Sequence, residues 1–119
     1  MISFVIDFKV DGKFGMNKLY AGVHWAIRKQ QADFIHSLVQ TTLYANKVPR
    51  KLFEKPVKVS ISYNSKLDID NHSYLSKLII DGLKGYLITD DTKKYLVELK
   101  QKFWQGEGIL VEVEEKILK

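Results

Sequence analysis

The alternation of apolar and polar residues predicts four β-strands. Every second residue of the first ten is apolar, a period typical of a half-buried strand that ends at the Asp11-Gly12 turn. The Gly106-Glu107-Gly108 turn separates the last two alternating segments and predicts that they pair as a hairpin. The predicted strands cover residues 2–10, 57–63, 95–103 and 109–113.

Two other segments repeat apolar residues at helical spacing. They predict a long helix over about 23–45 and a shorter one over about 70–84, which Gly85 is positioned to end. Residues 12–22 and 46–56 mix glycine or proline with basic residues and are predicted to be loops. The element order predicts an α+β fold in one domain spanning residues 1–119, with two helices covering one face of a small mixed sheet.

The size and composition of the chain fit one globular domain with a modest core. It has 119 residues, of which 45% are apolar, and no apolar run long enough to cross a bilayer. We therefore expect a soluble, cytoplasmic protein that does not associate with membranes. Because the chain has no cysteine, any metal must be held by oxygen or imidazole ligands.

Charge is unevenly distributed along the chain. Residues 1–66 carry eleven basic and four acidic side chains, net +7, whereas residues 67–119 carry eight basic and ten acidic, net −2. A basic surface beside a carboxylate-rich region suits a phosphate backbone handled with a divalent cation, although charge alone favours an ordinary solvated surface with a mild lysine excess. The candidate DNA-binding residues are Lys13, Lys18, Arg28, Lys29, Lys47, Arg50, Lys51 and Lys55.

Five of the eight aspartates lie between positions 68 and 91, a window without glutamate. Asp68 and Asp70 follow the second predicted strand, and both carboxylates project from the same side while the chain stays extended. Asp70 or Asn71 is also suited to cap the next helix. At about 100° per residue, Lys77 and Asp81 lie close to Asp70 around that helix. The five aspartates are Asp68, Asp70, Asp81, Asp90 and Asp91.

Carboxylates that converge in one place repel one another unless a cation, a proton or a lysine lies among them. Magnesium accepts oxygen ligands, so three or four of these aspartates suit a site that cleaves a phosphodiester, with Lys77 balancing the charge on the phosphate. A structural or calcium-stabilised acidic loop fits the cluster equally well. An EF-hand does not fit, because its ligands alternate along the loop and close on a bidentate glutamate.

The run Asp68-Ile69-Asp70-Asn71, followed by Lys77, Asp81-Gly82-Leu83 and Asp90-Asp91, resembles the signature of the RusA family of Holliday-junction resolvases. The resemblance extends to a loop with Asn17, a basic helix around Arg28 and the Pro56-Val57 start of a strand. Members of this family occur in bacteria and phages, act as homodimers, require magnesium and cut four-way DNA junctions symmetrically. The resemblance therefore implies a crossover junction endodeoxyribonuclease.

The resemblance also implies roles for individual residues. Asp68, Asp70 and Asp91 match the family's catalytic and metal-binding carboxylates, Asp90 adjoins the last of them, and Lys77 matches the active-site lysine. Lys77 stands seven positions after Asp70, three more than is usual in the family. Three residues are nearly one helical turn, so the lysine keeps its azimuth and moves about 4.5 Å along the axis.

Two other functions are compatible with the same residues. The first is a non-catalytic protein that binds junctions or other DNA through its basic surface. The second is a nuclease that cuts another branched or flap DNA, because fold and site do not determine which distorted DNA is chosen.

The histidines and loop aromatics supply weaker signals. His24, His36 and His72 have no zinc-site spacing and are expected to be surface or helix-packing residues, although His72 adjoins the acidic motif and is positioned to orient a water or contact phosphate. Tyr20 and Phe53 lie in basic loops, where they are candidates for stacking on unpaired bases.

Overall fold

The structure is a computed structural model that describes residues 1–22 and 24–116, and its centre is a four-stranded mixed sheet. This architecture confirms the predicted α+β class. The strands are β1 (Ile2–Ile6), β2 (Val57–Tyr63), β3 (Leu96–Phe103) and β4 (Ile109–Glu115). The helices are α1 (Met16–Tyr20), α2 (Trp25–Ala45) and α3 (Ser73–Leu83), with short 3₁₀-helices at Gly12–Phe14 and Ile69–His72.

The strands are arranged in the order β1-β4-β2-β3. Strand β4 is antiparallel to both β1 and β2, whereas β3 is parallel to β2. Strand β2 therefore has a hydrogen-bonded neighbour on each side. Its inward residues Val57, Val59, Ile61 and Tyr63 are fully buried, which makes β2 the middle of the core.

Helices α2 and α3 cover one face of the sheet, as predicted. Ile35, Val39 and Leu43 recur at helical spacing and place one side of α2 in the core. Leu75 and Ile79 do the same for α3. The opposite face of the sheet carries ion pairs such as Lys58–Glu114 at 2.9 Å and Lys116–Glu98 at 3.2 Å, so it is polar.

The predicted hairpin between the last two strands is wrong, because β2 lies between β3 and β4. The five-residue connection 104–108 spans two strand spacings, about 10 Å, which its contour length permits. It crosses the end of β2, where the Trp104 amide donates to the Tyr63 carbonyl at 3.0 Å and the Asn64 side chain donates to the Gly106 carbonyl at 2.9 Å. The glycine-rich turn reverses the chain without making the two strands neighbours.

The segment predicted as a loop over residues 12–22 is mostly helical, and β1 stops at Ile6 rather than residue 10. Asp11 caps the first 3₁₀-helix by accepting a bond from the Lys13 amide at 3.0 Å. Phe14 is buried and packs edge-on against Phe8, with ring centroids 5.3 Å apart. These contacts anchor the segment to the core.

Helix α2 begins at Trp25, and the predicted start at Val23 lies outside the described residues. The predicted end of the shorter helix is confirmed, since Gly85 follows it with a φ of 77°, the left-handed conformation that glycine adopts without strain. In the described part of the chain, no helix is both long and apolar enough to cross a bilayer.

Gly82 permits the close contact of α2 and α3. A Cβ atom at this position would lie 2.8 Å from the Cβ of Val39. We expect Gly82→Ala to lower the free energy of unfolding by up to about 2 kcal/mol, because an overpacking cost of about 1–3 kcal/mol outweighs the roughly 1 kcal/mol by which alanine is the better helix former. Urea denaturation measures this change, and the double variant with Val39→Ala should lose less stability than the sum of the two single losses. Strict additivity of the two substitutions would contradict the contact.

Candidate functional site

Asp68 and Asp70 lie where the chain leaves the C-terminal end of β2, and both are exposed. The two carboxylates would project from the same side only in an extended chain, and the chain is not extended at Asp70. Asp68 is extended, but Asp70 lies inside the 3₁₀-helix Ile69–His72, because the chain turns at once toward α3. Within residues 1–22 and 24–116, the ion pairs of this aspartate-rich segment involve Asp81, Asp90 and Asp91 only.

Asn71 attaches the N-terminal basic segment to this place. Its side-chain oxygen accepts a bond from the Asn17 amide at 2.8 Å, so it caps α1, whose own N-cap Gly15 has no side chain for the purpose. A Cβ on Gly15 would lie 3.0 Å from the Asn71 amide nitrogen, which shows how closely the two segments approach. The prediction that Asp70 or Asn71 caps the following helix is wrong, because α3 begins without a side-chain cap.

Asp81, Asp90 and Asp91 form an ion-pair cluster with two lysines at the other end of α3. The Lys77 amine lies 2.6 Å from Asp81 and 3.1 Å from Asp91. The Lys84 amine lies 3.2 Å from Asp81, 3.1 Å from Asp91 and 3.7 Å from Asp90. Three carboxylates and two ammonium groups leave the cluster with one net negative charge.

The two lysines determine the ionisation of Asp91. Hydrogen bonds from Lys77 and then Lys84 lower the pKa of the Asp91 carboxyl to about 2. The pKa of Lys77 is raised in turn, chiefly by its hydrogen bond to Asp81. Burial lowers the pKa of Lys84, but its hydrogen bonds to Asp91 and Asp81 outweigh burial and raise it. These shifts keep Asp91, Lys77 and Lys84 charged near neutral pH.

The structure divides the predicted acidic site into two parts. Asp68 and Asp70 lie before α3, whereas Asp81, Asp90 and Asp91 lie at or beyond its C-terminal end. The first and last residues of α3, Ser73 and Leu83, are ten residues apart, about 15 Å along the helix axis. In the part of the chain that is described, no three Asp, Glu or His side chains form a group that can hold a metal ion.

The donor set nevertheless fits magnesium. Magnesium is commonly bound through one or two carboxylates, with water completing its shell. Asp68 and Asp70 provide two exposed carboxylates close together in the chain, and neither is occupied by a lysine in the described residues. Asp91 is a hard, ionised ligand, but Lys77 and Lys84 hold it, so it joins a metal only by exchanging these partners.

Lys84 belongs to the site although the sequence argument did not select it. Lys77, Asp81 and Lys84 are spaced four and three residues apart, which places them on one face of a helix. This spacing was the available signal. Asp90 is held in part by chain geometry, since its side chain accepts a bond from the Asp91 amide at 2.8 Å.

His72 is a core residue and does not contact solvent. It is fully buried and stacks on Tyr63, with ring centroids 4.2 Å apart. Its Nδ1 donates to the Ile69 carbonyl at 3.1 Å, so Nε2 accepts from the Ser65 hydroxyl at 2.6 Å. Both ring nitrogens are therefore hydrogen-bonded within the protein, and the suggestion that His72 contacts phosphate or orients a catalytic water is wrong.

All eight candidate DNA-binding residues are exposed, and they fall into two groups at opposite ends of α2. The helix has 21 residues and is therefore about 30 Å long. Lys29 is paired with Asp33 at 2.8 Å, and Arg50 contacts Gln40 at 3.4 Å. The first group is Lys13, Lys18, Arg28 and Lys29, and the second is Lys47, Arg50, Lys51 and Lys55.

The aromatic residues proposed for stacking are not both available. Phe53 packs against the core and is half-buried, while the side chain of Tyr20 lies outside what the structure describes. Tyr44 is the aromatic side chain that sequence reasoning missed, and it is 81% exposed at the end of α2.

No protein-family model matches the chain, and no curated protein matches it either.

The Asp91 cluster makes a prediction about acid stability. Because the pKa of Asp91 is lowered on folding, its stabilisation is present above about pH 4 and is lost as the pH falls toward 2. We expect Asp91→Asn to be less stable than wild type at pH 5, with the difference shrinking toward pH 2. Denaturant unfolding at a series of pH values measures the gap. A gap independent of pH would contradict the assignment, and Asp33→Asn serves as an exposed control.

The Asn71 contact makes a second prediction. Asn71→Ala removes the acceptor for the Asn17 amide, so we expect a loss of about 1 kcal/mol in stability and looser attachment of α1. Limited trypsin digestion with mass spectrometry measures cleavage after Lys13 and Lys18, which should accelerate. Asn46→Ala removes a side-chain bond of similar length, 2.7 Å to the Thr42 carbonyl, at the C-terminal end of α2 and should leave those two cuts unchanged. Equal cutting in both variants would refute the contact.

Proposed function

We propose that the protein is a magnesium-dependent, structure-selective endodeoxyribonuclease that resolves four-way DNA junctions by symmetric phosphodiester cleavage. The observation that carries the proposal is the bond between Asn71 and the Asn17 amide. It joins the basic segment with Lys13 and Lys18 directly to the segment with Asp68 and Asp70. Phosphate-binding cations and metal-binding carboxylates therefore come from two distant parts of the chain to one place.

The two basic groups support a duplex ligand. They are separated by the length of α2, about 30 Å, which is close to one turn of B-form DNA. Exposed lysine and arginine at both ends of one rigid helix are suited to grip the backbone of a DNA arm at two points. Backbone contacts of this kind read position and shape rather than base sequence.

The residues of the acidic site have separate roles in this proposal. Asp68 and Asp70 would hold the magnesium ion, which would supply charge neutralisation at the phosphate and an activated water. Asp91 and Asp90, at the other end of α3, would become further ligands only if that end of the helix moved toward them. Lys77 stabilises the negative charge that develops on the phosphate. Lys84 keeps Asp91 ionised and in place through its 3.1 Å contact.

Cleavage requires Asp91 to exchange partners. In the structure its carboxylate contacts the amines of Lys77 and Lys84. A DNA phosphate would provide an alternative negative partner for both lysines and would free the Asp91 carboxylate to act as a ligand. The exchange couples assembly of the acidic site to the presence of substrate. Symmetric cuts on two strands need two such sites, so we propose a homodimer that acts in the cytoplasm.

A non-catalytic branched-DNA-binding protein is the second candidate. The observation that favours it is the absence, within residues 1–22 and 24–116, of a preassembled group of three metal-binding side chains. In this case the Asp81–Asp90–Asp91 cluster with its lysines is structural, and the basic groups alone bind DNA. The two candidates differ in whether Asp68 and Asp70 bind a metal ion for cleavage or contribute only negative charge.

Asp70→Asn separates the two candidates. It preserves size while removing a hard ligand and one negative charge, so cleavage of a labelled four-way junction in magnesium should fall by more than about 100-fold. Junction binding in chelator should be retained or slightly tightened, because less negative charge faces the phosphates. Cleavage gels and gel shifts on the same variants measure the two quantities, with replication fork, flap and linear duplex as competing substrates.

Controls identify what each outcome means. Asp68→Asn and Asp91→Asn should behave like Asp70→Asn, whereas Asp33→Asn makes the same change on exposed α2 and should cut at nearly the wild-type rate. Wild-type cleavage by both Asp70→Asn and Asp91→Asn would overturn the nuclease assignment. Tight junction binding by wild type without cleavage in magnesium would select the binding protein, and preferential cutting of forks or flaps would reassign the substrate.

A further inference from the structure

We propose that the recess at the C-terminal end of α2 is a binding site for one unstacked nucleotide of a DNA strand. The base would stack on Tyr44, and the phosphate would bind between Lys47 and Arg50. The nucleic-acid class of this ligand rests on the proposed function. The recess has a volume of about 920 Å³, in the range of small-ligand sites, and its lining includes Gln40, Thr41, Tyr44, Lys47, Arg50 and Tyr86.

Tyr44 presents its ring to solvent. Its side chain is 81% exposed, more than that of any other aromatic residue among the exposed large apolar side chains of the described chain. It lies in the last turn of α2, a rigid support. A base can stack on such a ring whatever its identity, because every base has a π-face.

Lys47 stands in a backbone conformation that its side chain disfavours. Its φ is 58°, and it is the one non-glycine residue with positive φ in the described part of the chain. It follows the helix C-cap Asn46. The Lys47 amide donates to the Tyr44 carbonyl, and the Val48 amide donates to the Leu43 carbonyl. Glycine is the preferred residue at this position of a helix end. Lysine strains the backbone at this position, but it places a positively charged side chain in the lining of the recess.

Arg50 is held in place by its neighbours. Its guanidinium lies 5.3 Å from the centroid of the Tyr86 ring and contacts the Gln40 side chain at 3.4 Å. The Tyr86 hydroxyl in turn donates to the Val48 carbonyl at 2.6 Å. A guanidinium fixed over an aromatic ring loses little side-chain entropy when it binds phosphate, and its planar fork suits phosphate oxygens.

Charge and position favour a nucleic acid as the occupant. The described lining includes two basic side chains and no acidic one, which complements a phosphodiester. The recess also adjoins the C-terminal end of α3, because Gln40 donates to the carbonyl of Gly82, the residue after Asp81, at 3.4 Å. A nucleotide displaced from a distorted DNA helix would therefore bind near the end of α3 that carries the ion-pair cluster.

The test measures binding of a short labelled oligothymidine in chelator by fluorescence anisotropy. Tyr44→Ala should weaken affinity by about tenfold, the loss of one stacked base, whereas Tyr44→Phe should retain affinity within about twofold. Phe34→Ala removes another exposed aromatic of α2, about 15 Å nearer its N-terminus, and should have no effect.

Lys47→Gly distinguishes a binding role from a folding defect. Relief of the positive φ should raise Tm by about 3 °C, while loss of one phosphate contact should weaken binding and reduce the salt slope by about 0.7. A more stable variant that binds less tightly cannot be explained by misfolding. Unchanged affinity in both Tyr44→Ala and Lys47→Gly, or no binding of oligothymidine by wild type, would overturn the site.

Junction cleavage by the wild-type protein is measured in parallel. If the protein cleaves junctions but the Tyr44 and Lys47 substitutions do not change oligothymidine affinity, the nucleotide site is refuted and the nuclease assignment is supported. Oligothymidine binding that depends on both residues, without cleavage of any branched DNA, supports the nucleotide site and removes the nuclease assignment.

Discussion

The parallel pairing of β2 with β3 is the constraint on which the remaining architecture depends. Two consecutive parallel strands cannot be joined by a tight turn, so the chain must cross back over the sheet before it enters β3. Helix α3 makes this crossover and buries its apolar side on β2. Strand β4 then pairs on the other side of β2, which fills the middle of the sheet and carries the 104–108 connection across the end of β2.

The same constraint distributes the acidic residues. Asp68 and Asp70 lie between β2 and α3, while Asp90 and Asp91 lie between α3 and β3, so a crossover helix separates two pairs that are close in the chain. Lys77 is placed partway along this helix and reaches the second group. Metal and lysine are alternative counterions for Asp91, and the observed arrangement uses lysine. In the proposed function, DNA reverses this choice by offering its phosphates to the lysines.

Helix α2 positions the basic residues, as α3 positions the acidic ones. Its first turns contact the N-terminal segment through Gln31, which donates to the Lys13 carbonyl, and its end forms one wall of the Tyr44 recess. Asn71 adds the direct bond from the acidic motif to α1. Short polar contacts of this kind contribute little free energy individually but determine where charged side chains stand relative to one another. They bring residues from both halves of the chain to the same surface.

The sequence by itself determined the four strands and the two longer helices, the burial of the α2 and α3 faces, the Gly85 helix end and the α+β class, because each follows from a local period or a local backbone preference. It also indicated which residues are acidic, basic and clustered in the chain. Tertiary structure alone decided that β2 separates β3 from β4, that His72 is buried, that Asn71 caps α1 and that Asp91 pairs with Lys77 and Lys84. These outcomes depend on strand pairing and helix crossover between distant residues, which neither periodicity nor spacing along the chain encodes.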